Sequence, residues 1–181
     1  MAQRSTVVLI ALVALACTGC GEADATNEAV EAREGNRATI AGITYRVILF
    51  RELNVHIKPD RALLEGPPPP EGSVYLAAFL SACNTSDERL TPTDSVRLEN
   101  AFEAEYPRLE LARDNPFAYR PHPLEPGQCL PSEDSAAARA VSGGVVIFQV
   151  PASDLSKRPF VLAVEGSSDG GQVQRRFEVD L

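Results

Sequence analysis

Residues 173–181 read VQRRFEVDL, and this stretch decides the fold class. Apolar and polar side chains alternate along it, because a β-strand turns successive side chains to opposite faces. Val173, Phe177, Val179 and Leu181 are expected to point inward, with Gln174, Arg176, Glu178 and Asp180 in solvent. Just upstream, 160–164 (FVLAV) reads as a second strand that stops at Gly166. Between the two, Ser168-Asp169-Gly170-Gly171 has the composition of a hairpin turn.

The same period extends toward the N-terminus. Residues 44–53 (TYRVILFREL) are predicted to place Tyr45, Val47 and Leu49 on one face. Residues 74–82 (VYLAAFLSA) follow a hard break at 66–72, where four consecutive prolines forbid ladder hydrogen bonds. Residues 145–150 (VVIFQV) stop at Pro151. Short strands separated by Gly, Pro, Asn and Asp clusters point to a sandwich, not to a helical or α/β fold. One stretch resists the pattern. From 107 to 142 the chain carries Pro116, Pro121, Pro123, Pro126 and Pro131 and reads mostly as loop. Within it, 132–141 (SEDSAAARAV) has the serine start and alanine run of a short helix. Long insertions in compact domains are often where function sits. This loop is the first place to look for partner recognition.

The first twenty residues have a different character. Arg4 precedes an apolar run over 7–16, and small residues then lead to Cys17-Thr18-Gly19-Cys20. That order is the one used by bacterial export signals. The run is too short to span a bilayer, which takes about 20 apolar residues. A cysteine at the cleavage point resembles the lipobox of a lipoprotein signal. Cys20 is the preferred acyl acceptor because it opens directly into a polar stretch, and Cys17 is the alternative. The expected organisation is a signal peptide over 1–20, an acidic flexible tether over 21–37 and one folded domain over 38–181. It implies a lipid-anchored protein facing outside the cytoplasm, at the cell surface or in the periplasm. The length after the signal suits one core and not two.

Charge narrows the partners. Loss of Arg4 with the signal leaves 16 basic against 25 acidic side chains, a net charge of -9. Nucleic-acid phosphates need clustered Lys and Arg, and Lys58 and Lys157 are the only lysines in the chain. Binding to nucleic acid is therefore not expected. The acyl group, and not a basic patch, would supply the membrane contact.

Cys83 and Cys129 remain after the signal. In an oxidising exterior the pair reads as a disulfide that pins the long loop to the sandwich; two buried thiols, or a thiol pairing with another chain, are the alternatives. No metal site is expected, because His56 and His122 are the only histidines and Met1 the only methionine. The acids Glu103, Glu105 and Glu110 lack the spacing of a calcium loop. No serine sits in a Gly-x-Ser-x-Gly turn, and with no tryptophan a sugar-stacking cleft is not expected. No catalytic residue and no cofactor is assigned.

Several motifs recur together in one order: 75–85 (YLAAFLSACNT), 96–106 (VRLENAFEAEY), Leu124-Glu125-Pro126-Gly127 and 143–151 (GGVVIFQVP). They resemble the DUF4352 family, an immunoglobulin-like extracellular domain related to the mycobacterial secreted antigen MPT63. In that family a strand ends in an Asn-rich turn, a strand pair carries a Leu and a Tyr, and a Pro-Gly loop leads to a Phe-x-Val-Pro strand. Asn84, Leu98, Tyr106, Pro126, Gly127, Phe148, Val150 and Pro151 fill those places. Two departures stand out. The span from Gln128 to Ser142 is expanded, and the turn after Leu98 reads Glu-Asn-Ala where the family tends to Asp and Gly. The resemblance implies an all-β, immunoglobulin-like β-sandwich over about residues 38–181 and supplies no activity. The expected function is a non-enzymatic binding or accessory module for another envelope protein. A structural envelope lipoprotein, or a small-ligand carrier without catalysis, is the alternative.

Overall fold

The computed structural model describes residues 32–168 and 170–181. Two five-stranded sheets pack face to face. The first runs β1(Ala32–Arg33), β10(Gly171–Val179), β9(Phe160–Ser168), β5(Val96–Glu99), β6(Glu105–Tyr106). The second runs β2(Arg37–Ile40), β3(Ile43–Glu52), β4(Ser73–Asn84). The far edge of β4 is shared by β8(Gly144–Pro151) along most of its length and by β7(Cys129–Leu130) at its end. All pairings between these strands are antiparallel except β1 with β10. The chain is an immunoglobulin-like β-sandwich.

The inner faces make one core. Phe50, Leu76, Leu80, Phe148, Phe160, Leu162 and Phe177 lie between the sheets, and each is 2 % exposed or less. Burial of such side chains contributes about 1.5–3 kcal/mol apiece. The two last strands form the expected hairpin, with Gly171 opposite Ser168 and Phe177 opposite Leu162. Of the four side chains expected inward there, Phe177 and Val179 are buried and Val173 packs partly against the core. Leu181 differs, being 37 % exposed. The ladder ends at Val179 opposite Phe160, and Pro159 before that residue has no N–H to extend it.

Leu49 is a second correction. Val47 pairs with Leu80 and Leu49 with Phe79, so Ile48 is an extra residue in a β-bulge. The bulge inverts the alternation beyond it. Phe50 turns into the core at 2 % exposure, and Leu49 faces out at 38 %. A third difference lies in the span assigned to the tether. Ala32 is buried and pairs with Phe177, and Arg37 opens β2. Within 21–37, residues 32 onward thus belong to the sandwich edge.

The strand β4 explains the long loop. Its run from Tyr75 to Leu80 is buried on both faces. Leu76, Ala78 and Leu80 face the first sheet, whereas Tyr75, Ala77 and Phe79 join Val145, Ile147, Leu53, Leu63 and Leu64 in a second cluster on the outer face. The cover over that face comes from α1(Asp60–Leu64) and from Leu109, Leu111 and Phe117 of the loop.

Candidate functional site

Cys83 and Cys129 are bonded, with S–S 2.07 Å and Cα atoms 4.0 Å apart. They face each other across β4 and β7, and the neighbouring amide of Asn84 donates to the carbonyl of Gln128 at 2.9 Å. That arrangement is the non-hydrogen-bonded pair of an antiparallel ladder, where Cα atoms come closest. Asn84 extends the clamp. Its Nδ2 donates to the carbonyls of Glu88 and Leu124, at 2.7 and 2.9 Å, and its Oδ1 accepts from the amide of Ser86 at 3.0 Å. The turn at Pro126-Gly127 has Gly127 at φ +80, a conformation glycine adopts without strain. Tyr106 sits directly opposite Leu98, and Phe148 and Val150 are buried in β8.

The loop from Pro107 to Tyr119 is laid along β8 and does not project. Leu109 N donates to Ile147 O at 2.8 Å, and Tyr119 N to Val145 O at 2.9 Å. These bonds use the free edge of β8, which would otherwise invite another strand. Asn115 is 3 % exposed, and its Nδ2 donates to Leu63 O at 2.9 Å, locking the loop to α1. Close approach is made possible by Gly144, where a Cβ would lie 2.9 Å from the Cα of Tyr119. The helix within the expansion is α2(Ala136–Val141), capped by Ser135, whose Oγ accepts from Ala138 N at 3.1 Å. The sequence reading started this helix at Ser132, three residues before the capping serine.

Between the two points where the loop meets β8 lies a cleft of about 330 Å³. Its polar walls are Asp94, Arg108, Glu110 and Arg120, and Tyr119 and Val145 form the apolar floor. The guanidinium of Arg108 donates to Asp94 Oδ1 at 2.9 Å, and that of Arg120 to the carbonyls of Leu111 and Ala112. Tyr119 donates its hydroxyl proton to Thr93 O at 3.0 Å, and burial holds its ionisation well above the usual range. A cleft of this kind, charged in both senses around a tyrosine, suits a small polar or zwitterionic group or a peptide segment.

Other polar groups stabilise the fold. The Arg51 guanidinium meets the Asp60 carboxylate at 2.8 and 2.5 Å, lies 5.5 Å from the centroid of the Phe79 ring, and holds Asp60 below the ordinary carboxylate value. On the outer face of the first sheet, Arg97 pairs with Glu105 and Glu165, and Arg176 with Glu99 at 2.9 Å. This charged layer lies over Ala163 and Val161, both buried. Burial raises the Tyr106 hydroxyl to about 12, and a hydrogen bond to Asp154 adds to that rise.

The residues singled out from sequence are scattered. His56 follows β3 at one end of the sandwich, while His122 is in the loop near β7, its Nδ1 3.2 Å from Arg120 O. Glu103 is in the β5–β6 turn, Glu105 pairs with Arg97, and Glu110 borders the cleft. Among the described residues no group of three His, Cys, Asp or Glu is placed to hold a metal ion. Also among these residues, no helix is long and apolar enough to cross a membrane. The candidate acyl acceptors Cys20 and Cys17 lie outside the described residues. The cleft itself was not foreseen. Its walls are brought together by the loop's pairing with β8, which has no local sequence period.

Comparison with solved structures finds the yjhA protein from Bacillus subtilis, with a TM-score of 0.57 and 10% identity, covering 82% of this chain and 99% of that one. Two further matches are the ycdA protein of Bacillus subtilis subsp. subtilis str. 168 (TM-score 0.47, 10% identity, 78% and 38% covered) and a β-sandwich protein from Clostridium difficile 630 (TM-score 0.41, 13% identity, 83% and 96% covered). The first of these likenesses is one of fold. No protein-family model matches the chain, and no curated protein sequence does.

Proposed function

We propose that this protein is an extracytoplasmic, lipid-anchored accessory module of the DUF4352 and MPT63 type, which binds another envelope component without catalysing a reaction. The observation that carries the reading is the Cys83–Cys129 bridge. Disulfides persist in oxidising compartments, in keeping with an export-type N-terminus and a cysteine at the cleavage point. The acyl group on Cys20 would hold the chain at the membrane, leaving the sandwich free to meet its partner.

Contact is assigned to the cleft beside Tyr119. Most of the Pro-rich loop is occupied with covering β4 and β8, so its recognition surface is the part that borders this cleft. A polar segment of the partner, placing a carboxylate near Arg108 and Arg120 and a cation near Asp94 and Glu110, would match its walls. The test is a cross-linked pull-down of the intact lipidated protein from its own envelope, run beside an Arg120→Glu variant. One reproducible partner that is lost with R120E supports the assignment. A partner retained undiminished by R120E moves the contact elsewhere, and a bait recovered alone removes the accessory reading.

A further inference from the structure

Four large hydrophobic side chains are exposed among the described residues: Leu49, Ile57, Phe102 and Leu181. Three of them share one end of the sandwich. Ile57 lies just beyond β3, Phe102 tips the β5–β6 turn, and Leu181 follows β10. Strand register fixes these positions together, since β5 ends opposite Val161, β10 ends opposite Phe160, and β3 ends opposite Leu76. The link between β8 and β9 crosses the same end. Ala152 N donates to Gly72 O at 2.8 Å, and Ala101 N to Lys157 O at 3.2 Å.

Phe102 is the most exposed of them, at 75 %, and its turn is built to hold it outward. The buried side chain of Asn100 accepts from the amides of Phe102 and Ala104, at 2.8 and 3.1 Å, and donates to the Tyr106 hydroxyl at 2.6 Å. Tyr106 in turn donates to Asp154 at 3.0 Å. An aromatic side chain displayed on a braced turn is an unused apolar surface. Both lysines of the chain, Lys58 and Lys157, lie at this end as well. The stem of Lys58 can lie on lipid with its ammonium at headgroup level, while the Lys157 ammonium is held by the Asp154 carboxylate at 2.7 Å.

We infer that this end of the sandwich docks on the bilayer interface, with Phe102 inserted among the headgroups and Ile57 and Leu181 beside it. The inference rests on the lipid-anchored reading above. Ala32 pairs with Phe177, four residues before Leu181, so the described chain starts roughly 13 Å from this end. From Cys20 to Ala32 is a further 12 residues, a covalent reach of at most about 40 Å. A tether of that length keeps the end at high effective concentration against the membrane, so a few apolar side chains suffice to orient the domain. Aromatic rings favour this interfacial depth.

The chain contains no tryptophan, so Phe102→Trp supplies a single reporter, and Thr91→Trp in the β4–β5 loop reports from the opposite end. Each lipidated full-length variant is reconstituted in phosphatidylcholine–phosphatidylglycerol vesicles carrying brominated lipid. The expected result is a blue-shifted F102W emission, quenched at least about twofold more than that of T91W. Equal quenching of the two, in vesicles that float with the protein, overturns the docking and leaves the anchor intact. Failure of the lipidated chain to float overturns the anchor and the docking with it. A blue shift that appears only on addition of envelope protein assigns the end to a protein partner and also overturns the inference.

Discussion

The side-chain amide of Asn84 donates to the carbonyl of Leu124 across 2.9 Å, one residue along from the cysteine that bridges to Cys129. A buried polar group and a covalent bond thus fasten the same segment to the end of β4. The second carbonyl, Glu88 O, lies 2.7 Å from the same Nδ2. Asn84→Ala would leave both carbonyls and the Ser86 amide without this partner, at a cost of about 3 kcal/mol. Urea unfolding is the check, and a midpoint unmoved by N84A would contradict the clamp.

The covalent half of the clamp is separately testable. Cys83 and Cys129 are 46 residues apart, so replacing both by alanine is expected to lower stability by about 2–4 kcal/mol. Thermal melting of the oxidised protein against the double variant measures the loss. Identical curves would mean that the bridge does not constrain the unfolded chain.

The loop's seat on β8 depends on Gly144. A Cβ there would lie 2.9 Å from the Tyr119 Cα and 3.1 Å from its Cβ, so backbone would have to move. Gly144→Ala is expected to destabilise by about 1–3 kcal/mol and to open 107–121 to proteolysis. Cleavage elsewhere, with that segment still protected, would show that the cover does not depend on this contact.

Asp60 gives the fold a pH dependence of known sign. Its carboxyl is held below the ordinary value, chiefly by hydrogen bonds from Arg51. Stability from such a group is complete above the unfolded-state pKa of about 3.9 and is lost as pH falls through the folded value. Asp60→Asn is therefore expected to cost about 2 kcal/mol at neutral pH. The gap from the native chain should close below about pH 4. Guanidinium unfolding at several pH values measures it; a gap that stays constant into acid would place the stabilisation elsewhere.

Period-2 patterning marked 173–179, where one face is committed to the core, whereas 160–164 and 145–150 were legible as short apolar runs bounded by Gly and Pro and are buried on both faces. It failed at Leu49, where a single bulged residue, Ile48, reverses the faces and leaves no local mark in an apolar run. The doubly covered β4 was visible in principle. Tyr75, Ala77 and Phe79 are as apolar as Leu76, Ala78 and Leu80, and a strand apolar on both faces needs a second cover. What supplies the cover was not legible, since the Leu109–Leu111 alternation is too short to mark a strand and Phe117 follows a polar stretch and Pro116. The disulfide was readable from compartment and cysteine count. The cleft was not, because Asp94 and Arg120 meet only through tertiary pairing.

The measurement that bears most directly on the lipid-anchored reading is the intact mass and N-terminal peptide of the protein purified from its own membrane fraction. The expected result is a chain beginning at an acylated Cys20, with Cys83 and Cys129 joined. An acylated chain beginning at Cys17 would move the anchor by three residues, whereas a chain that begins at neither cysteine, or that carries no acyl group, would contradict it.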